Sequence, residues 1–141
     1  MSESGTYVLV VDVPRATTLE VGALGEREFD AGAYAYVGSA FGPGGFGRID
    51  RHRELARGER DTRHWHIDYL LGHRETRLES AVAFPDDDRE CELAASLPGE
   101  QVDGFGASDC DCAGHLLTAP SADAAGVREA ALAEGGRPYF E

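Results

Sequence analysis

The chain has 141 residues, 42% of them hydrophobic, which excludes a disordered protein and suits one globular domain spanning residues 1–141. It carries 26 acidic residues against 13 basic ones, a formal net charge of −13, and every basic residue is arginine. The N-terminal segment has neither the basic region nor the long apolar region of a secretory signal. No stretch approaches the roughly 20 apolar residues of a membrane span, so we expect a cytoplasmic protein without membrane contact.

Extended segments dominate the first forty residues. They are β-branched and apolar, and turn residues separate them, which is typical of buried strands. The links between them are too short for helical crossovers, which predicts antiparallel hairpins. A glycine-rich loop then covers residues 41–47. The predicted extended segments are Thr6–Val13, the stretch 17–29 with a turn inside it, and Ala33–Val37.

Helices and strands alternate in the rest of the chain. The first helix has Ile49 and Leu55 as its apolar residues and stops at Gly58. Trp65, Tyr69 and Leu70 are expected to face inwards. The predicted helices are Arg48–Arg57, Trp65–Leu71, Arg89–Leu97 and Ser121–Glu134, and the predicted strands are Thr76–Phe84 and an edge strand His115–Thr118. Together these elements predict an α+β domain whose small antiparallel β-sheet is flanked by helices.

The basic residues are unevenly distributed along the chain. Residues 48–77 contain eight of the thirteen arginines and six acidic residues, so this segment is net positive while the remainder carries −15. Four of the five histidines lie in the same segment. A basic region on an acidic body suits phosphate binding. A solvated helical face whose charges pair with each other would have the same composition.

The absence of lysine and the excess of acidic residues predict a protein from a halophile. A charge of −13 on a small domain causes self-repulsion in dilute salt, and molar salt screens it within a few ångströms. A high-GC genome would also favour arginine codons over lysine codons, but it does not explain why acidic residues are twice as numerous as basic ones.

Tyrosines on two strands and cations on the next helix form the first candidate site. Arg48 and His52 are spaced i, i+4 and so project from one face of the predicted helix. A guanidinium matches the charge on phosphoryl oxygens, and a phenol or an imidazole can accept the proton of a nucleophile. Ordinary core packing of Tyr7 and Tyr36, with solvated side chains on the helix, would account for each residue separately.

The combination of these residues resembles the GIY-YIG nuclease superfamily. GTY at 5–7 and YVG at 36–38 stand for its two motifs, with threonine and valine in place of isoleucine. Longer motifs are similar to one uncharacterised branch of that superfamily, a domain that occurs alone and, in some proteins, fused to endonuclease III. These motifs are YAYVGSA (34–40), the glycine-rich loop, RIDRH (48–52), HWHIDYLL (64–71), the pair Glu90-Cys91 and GFGASDCDCAGHL (104–116).

The resemblance implies a metal-dependent DNA endonuclease that hydrolyses phosphodiester bonds, with a role in DNA repair and a repair protein as a partner. By that resemblance Tyr7 and Tyr36 shape the surroundings of the nucleophile, and one of them acts with a water as the base. Arg48 would hold the scissile phosphate and His52 would assist. The substrate contacts predicted beside them are Gly38, Ser39, Arg51 and His66.

A single glutamate on a later helix binds one divalent ion, usually magnesium, in the family that the chain resembles. Glu90 is the candidate here because it opens the short helix after the strand that ends at Phe84, and Glu92 is the alternative. Mg²⁺ or Mn²⁺ held by one carboxylate can complete its coordination with water and phosphate oxygens. Many members carry an asparagine after that glutamate, whereas this chain contains none.

Cysteines and a histidine form a second candidate site. Cys91, Cys110, Cys112 and His115 offer three thiols and an imidazole, which is a legitimate tetrahedral Zn²⁺ set. The spacing C-x-C is tighter than that of most zinc sites, and buried inert thiols explain the same residues. An odd number of cysteines in a cytoplasmic chain argues against a disulfide framework.

A third group lies in the segment 64–69. His64 and Asp68 are spaced i, i+4 and could form a metal site or a histidine–carboxylate pair. His66 and Asp68 could instead satisfy buried polar positions, orient the helix that carries Arg48, or line the substrate groove. Two functions from other classes therefore remain beside the nuclease. They are a non-catalytic nucleic-acid-binding module and a zinc-stabilised accessory domain on the same fold.

Overall fold

A computed structural model gives the fold of the protein. It describes residues 4–21, 25–40, 45–59, 66–73, 76–87, 89–97, 100–101, 116–119 and 123–140. The elements, in chain order, are β1 (Gly5–Val13), β2 (Thr17–Glu20), β3 (Glu26–Phe29), β4 (Gly32–Ser39), α1 (Gly47–Ala56), α2 (His66–Leu71), β5 (Arg77–Pro85), α3 (Glu90–Ser96), β6 (Glu100–Gln101), β7 (Leu116–Ala119), α4 (Ala124–Ala133) and β8 (Arg137–Phe140). The predicted α+β class with a small antiparallel sheet is confirmed.

The main sheet is built around β1. Within the described residues it has six strands in the order β6-β7-β4-β1-β5-β8, and all neighbouring strands are antiparallel. The expectation of hairpins between successive strands was correct only for β2 and β3, which form a separate two-stranded sheet. β1 pairs with β4 and β5 instead, because its nearly continuous apolar sequence lets it occupy the centre of the sheet with both faces covered.

Side chains of β1 alternate between two cores on opposite faces of the sheet. Tyr7, Leu9 and Val11 face the core that also contains Ile49 and Leu55 of α1 and the buried residues of α2. Val8 and Val10 face the other core, which α3 and α4 cover. This alternation with a period of two is the strand geometry that the sequence predicts. It places α1 and α2 on the same side of the sheet as the tyrosines.

The C-terminal part of the chain differs most from prediction. The strand predicted at its edge, His115–Thr118, is observed as β7 and lies inside the sheet, because β6 pairs with its outer side. Neither β6 nor β8 was predicted, since a two-residue strand has no periodicity and β8 contains a proline. In α2, Leu70 is buried as expected and Tyr69 is half-buried, whereas Trp65 lies outside the described residues.

The last helix starts later than predicted, at Ala124 instead of Ser121. Asp123 caps it, because its carboxylate accepts a hydrogen bond of 2.8 Å from the backbone N–H of Gly126. None of the helices in the described part of the chain is long and apolar enough to span a membrane.

Removal of this cap should destabilise the domain measurably. We expect Asp123→Ala to lower the free energy of unfolding by about 1 kcal/mol, because one N–H group at the start of α4 loses its acceptor. Asp123→Ser keeps a capping oxygen and should retain most of the stability. Denaturant unfolding at one fixed salt concentration measures both variants. Equal losses in the two variants would contradict the assigned cap.

Candidate functional site

A buried hydrogen bond joins the central strand to the first helix. The hydroxyl oxygen of Tyr7 lies 2.8 Å from Nε2 of His52, and each side chain is 1% exposed. Tyr7 faces α1 because of its position in β1, and His52 faces the sheet because it lies one turn from Ile49 and Leu55 on the apolar side of α1. Two residues that are 45 positions apart therefore meet in the core.

Tyr36 completes an aromatic cluster with these two residues. Its ring centroid lies 6.4 Å from that of Tyr7 and 6.1 Å from that of His52, and its plane is inclined at 69° to the imidazole. Gly38 is paired with Tyr7 across the sheet, and a Cβ atom at Gly38 would overlap the phenol ring of Tyr7. The glycine of YVG thus leaves the space that the tyrosine of GTY occupies.

Arg48 lies at the start of α1, one turn before His52. It is half-buried, and its Nη1 donates a hydrogen bond of 2.5 Å to the backbone oxygen of Ser39 at the end of β4. This bond directs the guanidinium to the end of β4, where the YVG motif lies. Residues 41–44 of the glycine-rich loop between these elements lie outside the described residues.

Arg51 is engaged by a carboxylate of α2. Its Nη1 and Nη2 donate to the two oxygens of Asp68, at 3.2 and 3.1 Å, in a bidentate ion pair. Asp68 is fully buried, whereas Arg51 is 16% exposed. The pair joins α2 to α1, which is the orienting role considered for Asp68 from the sequence. The guanidinium fork of Arg51 faces α2, and substrate binding by this residue stays a prediction.

Burial controls the charge of His52. Loss of solvation lowers the pKa of the imidazole to about 3; the carboxylate of Asp68 opposes this shift, while Arg51 and Arg48 add to it. The imidazole is therefore neutral at physiological pH. Its Nδ1 lies 3.9 Å from an oxygen of Asp68, and this negative charge favours a proton on Nδ1. In that tautomer Nε2 accepts the hydrogen bond that the Tyr7 hydroxyl donates.

The first residue of α3 lies near the start of β1, the end of the strand that carries Tyr7. The backbone N–H of Arg89 donates a 2.9 Å hydrogen bond to Oγ1 of Thr6, the neighbour of Tyr7. Glu90 follows at once as the first residue of α3, although its side chain lies outside the described part. The body of α3 packs on the opposite face of the sheet through Leu93. The body of α3 therefore lies on the face of the sheet opposite to the side chains of Tyr7 and Tyr36.

Glu92, the alternative metal ligand in the sequence analysis, pairs with an arginine in the structure. Its carboxylate forms an ion pair with Nε of Arg89, three residues earlier. Glu90 therefore remains the metal-ligand candidate. One carboxylate suits magnesium, because this ion keeps several waters and takes oxygen ligands. Groups of three or more metal-ligating side chains do not occur among the residues that the structure describes.

Several predicted site residues lie outside the described residues. They are the side chains of His66 and Cys91, and Cys110, Cys112 and His115 in full, so that the zinc set stays a prediction. The structure brings together Tyr7, Tyr36 and His52, with Gly38 and Ser39 beside them. It also identifies Thr6, whose hydroxyl was not a candidate because a threonine in a strand is ordinary.

Comparison with known protein families gives one match. The profile of the domain of unknown function DUF123 matches residues 6–134. The chain belongs to this family. The matched part of the DUF123 domain includes every predicted site residue and leaves β8 outside. No curated protein and no solved structure matches the chain.

The buried imidazole should make stability depend on pH. The folded pKa of His52, about 3, lies below the usual 6.5, so between these values the unfolded chain binds a proton that the folded chain does not. This contribution to stability is complete above pH 6.5 and decreases as the pH falls. From about pH 7.5 to about pH 5.5, the native protein should lose about 1.4 kcal/mol more than His52→Gln. Equal losses in chemical denaturation would contradict a neutral buried His52.

The Arg51–Asp68 pair should show strong coupling in stability. We expect Asp68→Asn to lower the free energy of unfolding by about 3 kcal/mol, because it leaves a guanidinium without its carboxylate in a largely buried position. The double variant Arg51→Met/Asp68→Leu removes both charges and should recover most of that loss. Denaturant titrations of the single and double variants measure the coupling. A double variant that is no more stable than Asp68→Asn would contradict an ion pair that joins α1 to α2.

Proposed function

We propose that this DUF123 domain is a magnesium- or manganese-dependent endonuclease that hydrolyses phosphodiester bonds in DNA. The observation that carries the proposal is the meeting of Tyr7, Tyr36 and His52 one helical turn from Arg48. The motifs GTY and YVG, which carry the resemblance to GIY-YIG nucleases, face each other in neighbouring strands, with Tyr7 opposite Gly38. If each of these residues had only a separate packing role, the three side chains would not need to meet at one place.

Arg48 is the residue proposed to hold the scissile phosphate. Arginine has five N–H groups, and the Ser39 backbone oxygen accepts from the Nη1 of Arg48. A guanidinium offers two parallel hydrogen bonds to phosphoryl oxygens and a charge that matches the one developing in the transition state. The bond to Ser39 orients the side chain before the substrate arrives, so less conformational entropy is lost on binding.

The two tyrosines are proposed to have different roles because their exposure differs. Tyr7 is 1% exposed and donates its hydrogen bond to a buried neutral imidazole, so its proposed role is to support the site from within the core. Tyr36 is 7% exposed and is the tyrosine closer to the surface. We assign to the Tyr36 hydroxyl the hydrogen bond from the attacking water, which orients a lone pair of the water towards phosphorus. His52, with a pKa of about 3, acts as an acceptor and not as an acid.

Glu90 is proposed to hold the divalent ion, with water and substrate oxygens as further ligands. Magnesium held there would supply positive charge that offsets the negative charge developing on the phosphate. The position of the first residue of α3, one residue after the bond between Arg89 and Thr6, supports this assignment. The wider resemblance to domains fused to endonuclease III supports action in the cytoplasm, in DNA repair, with a repair protein as partner.

The net charge of −13 restricts how such a domain can bind DNA. In molar salt, counterion release contributes little, and the affinity that comes from phosphate contacts falls steeply. Hydrogen bonds, metal bridging and fit to a distorted DNA structure must then supply more of the affinity. This favours a branched or flapped substrate over regular duplex DNA.

Cleavage assays in molar potassium chloride test the proposal. The protein should cut at least one of branched, flapped or single-stranded DNA when magnesium or manganese is present. We expect Arg48→Ala to lower kcat/KM by about 100-fold or more, because one charged donor to the phosphate is lost. Glu90→Ala should abolish metal-dependent cleavage.

Arg53→Ala is the matched control, since it removes an arginine from the same helix outside the cluster. It should cleave within about twofold of the native rate, as expected for a change that removes no transition-state contact. Absence of cleavage of every substrate by well-folded protein would overturn the enzyme proposal. Binding without cleavage would favour the non-catalytic nucleic-acid-binding module.

A further inference from the structure

Thr6 makes two hydrogen bonds to a turn more than 80 residues away. It is fully buried, and its Oγ1 donates to the backbone oxygen of Asp87 at 2.7 Å and accepts from the backbone N–H of Arg89 at 2.9 Å. Both partners lie between the end of β5 and the start of α3. A hydroxyl is required for this arrangement, because one group must donate and accept at once.

The residues before Thr6 hold the same turn by main-chain contacts. The backbone N–H of Asp86 donates to the backbone oxygen of Ser4 at 2.8 Å. A Cβ atom on Gly5 would overlap the carbonyl oxygen of Phe84, so only glycine allows the two chains to approach this closely. The start of β1 therefore fixes Asp86, Asp87 and Arg89, while Tyr7, the third residue of GTY, belongs to the aromatic cluster.

The side chain of Arg89 connects the same segment to the end of α4. Its Nη1 and Nη2 donate to the backbone oxygen and the carboxylate of Glu134, at 2.7 and 3.0 Å. Its guanidinium also lies 5.3 Å from the ring centroid of Phe84. The residue immediately before Glu90 is thus bonded both to β1 and to the end of α4.

We propose that Thr6 is a positioning residue. Its hydroxyl fixes the position of Glu90 relative to β1, the strand that carries Tyr7. The inference rests on the proposed function, in which Glu90 holds the divalent ion. Isoleucine, which the resembled motif carries at this position, has no hydroxyl and cannot make either bond. The threonine of GTY is then more than a tolerated substitution, because it connects the tyrosine strand to the metal ligand of the same site.

Thr6→Val tests this role, because valine has nearly the same shape and lacks the hydroxyl. We expect the magnesium concentration for half-maximal cleavage to rise about tenfold, as for other residues that orient a metal ligand. The rate at saturating magnesium should stay within about twofold, since valine removes no contact with DNA. Thr6→Ser keeps the hydroxyl and should behave as the native protein.

Thr76→Val is the matched control. Thr76 is 5% exposed, and its Oγ1 has no hydrogen-bond partner among the described residues. Replacement of this buried threonine by valine should therefore leave the magnesium dependence of cleavage unchanged. If Thr6→Val does not fold in molar salt, Thr6→Ala replaces it with the same expected shift.

Hydrogen exchange gives a readout that does not depend on cleavage. In Thr6→Val the backbone amide of Arg89 should exchange faster, while the amides of β1 keep their native rates. Faster exchange together with the tenfold shift supports the inference. A native magnesium dependence in Thr6→Val, or native protection of the Arg89 amide, would overturn it. If the native protein cleaves no DNA, the proposed function fails first, and the role of Thr6 in metal binding fails with it.

Discussion

The hydrogen bond between Tyr7 and His52 is the interaction on which the rest of the site depends. It is buried and joins the central strand to α1, and the same burial keeps the imidazole neutral. Because His52 faces the sheet, the residue one turn earlier, Arg48, is directed to the end of β4. A single buried contact thus couples the core of the sheet to the position of the proposed phosphate ligand.

The charged residues around α1 contribute both to the stability of the fold and to the proposed site. Asp68 neutralises Arg51 and at the same time lies near Nδ1 of His52, where its charge favours the tautomer that accepts from Tyr7. Burial outweighs this carboxylate in setting the pKa of His52. A histidine that stays neutral orients the phenol at every physiological pH. In our proposal the less deeply buried members, Arg48 and Tyr36, then meet the substrate.

Local patterns explain which parts of this structure could be predicted. β1 was recognisable from its run of apolar, β-branched residues, and α1 from Ile49 and Leu55 with the stop at Gly58. Other contacts join residues far apart in the chain, and no short sequence pattern encodes them. They are the pairing of β1 with β5, the bidentate ion pair of Arg51 with Asp68, and the two hydrogen bonds of Thr6. The cluster of tyrosines and histidine was expected only through resemblance to a family, since each residue alone has an ordinary packing role.

The most direct test of the central claim is the protonation state of His52 in solution. Nitrogen-15 NMR of labelled imidazoles, recorded in molar salt during an acid titration, reports the charge and the tautomer of each histidine. Burial of His52 predicts a neutral ring that does not titrate until the pH approaches about 3, and the Asp68 carboxylate near Nδ1 predicts that Nδ1 carries the proton. A His52 that titrates near its usual pKa of 6.5 while the protein remains folded would contradict this account.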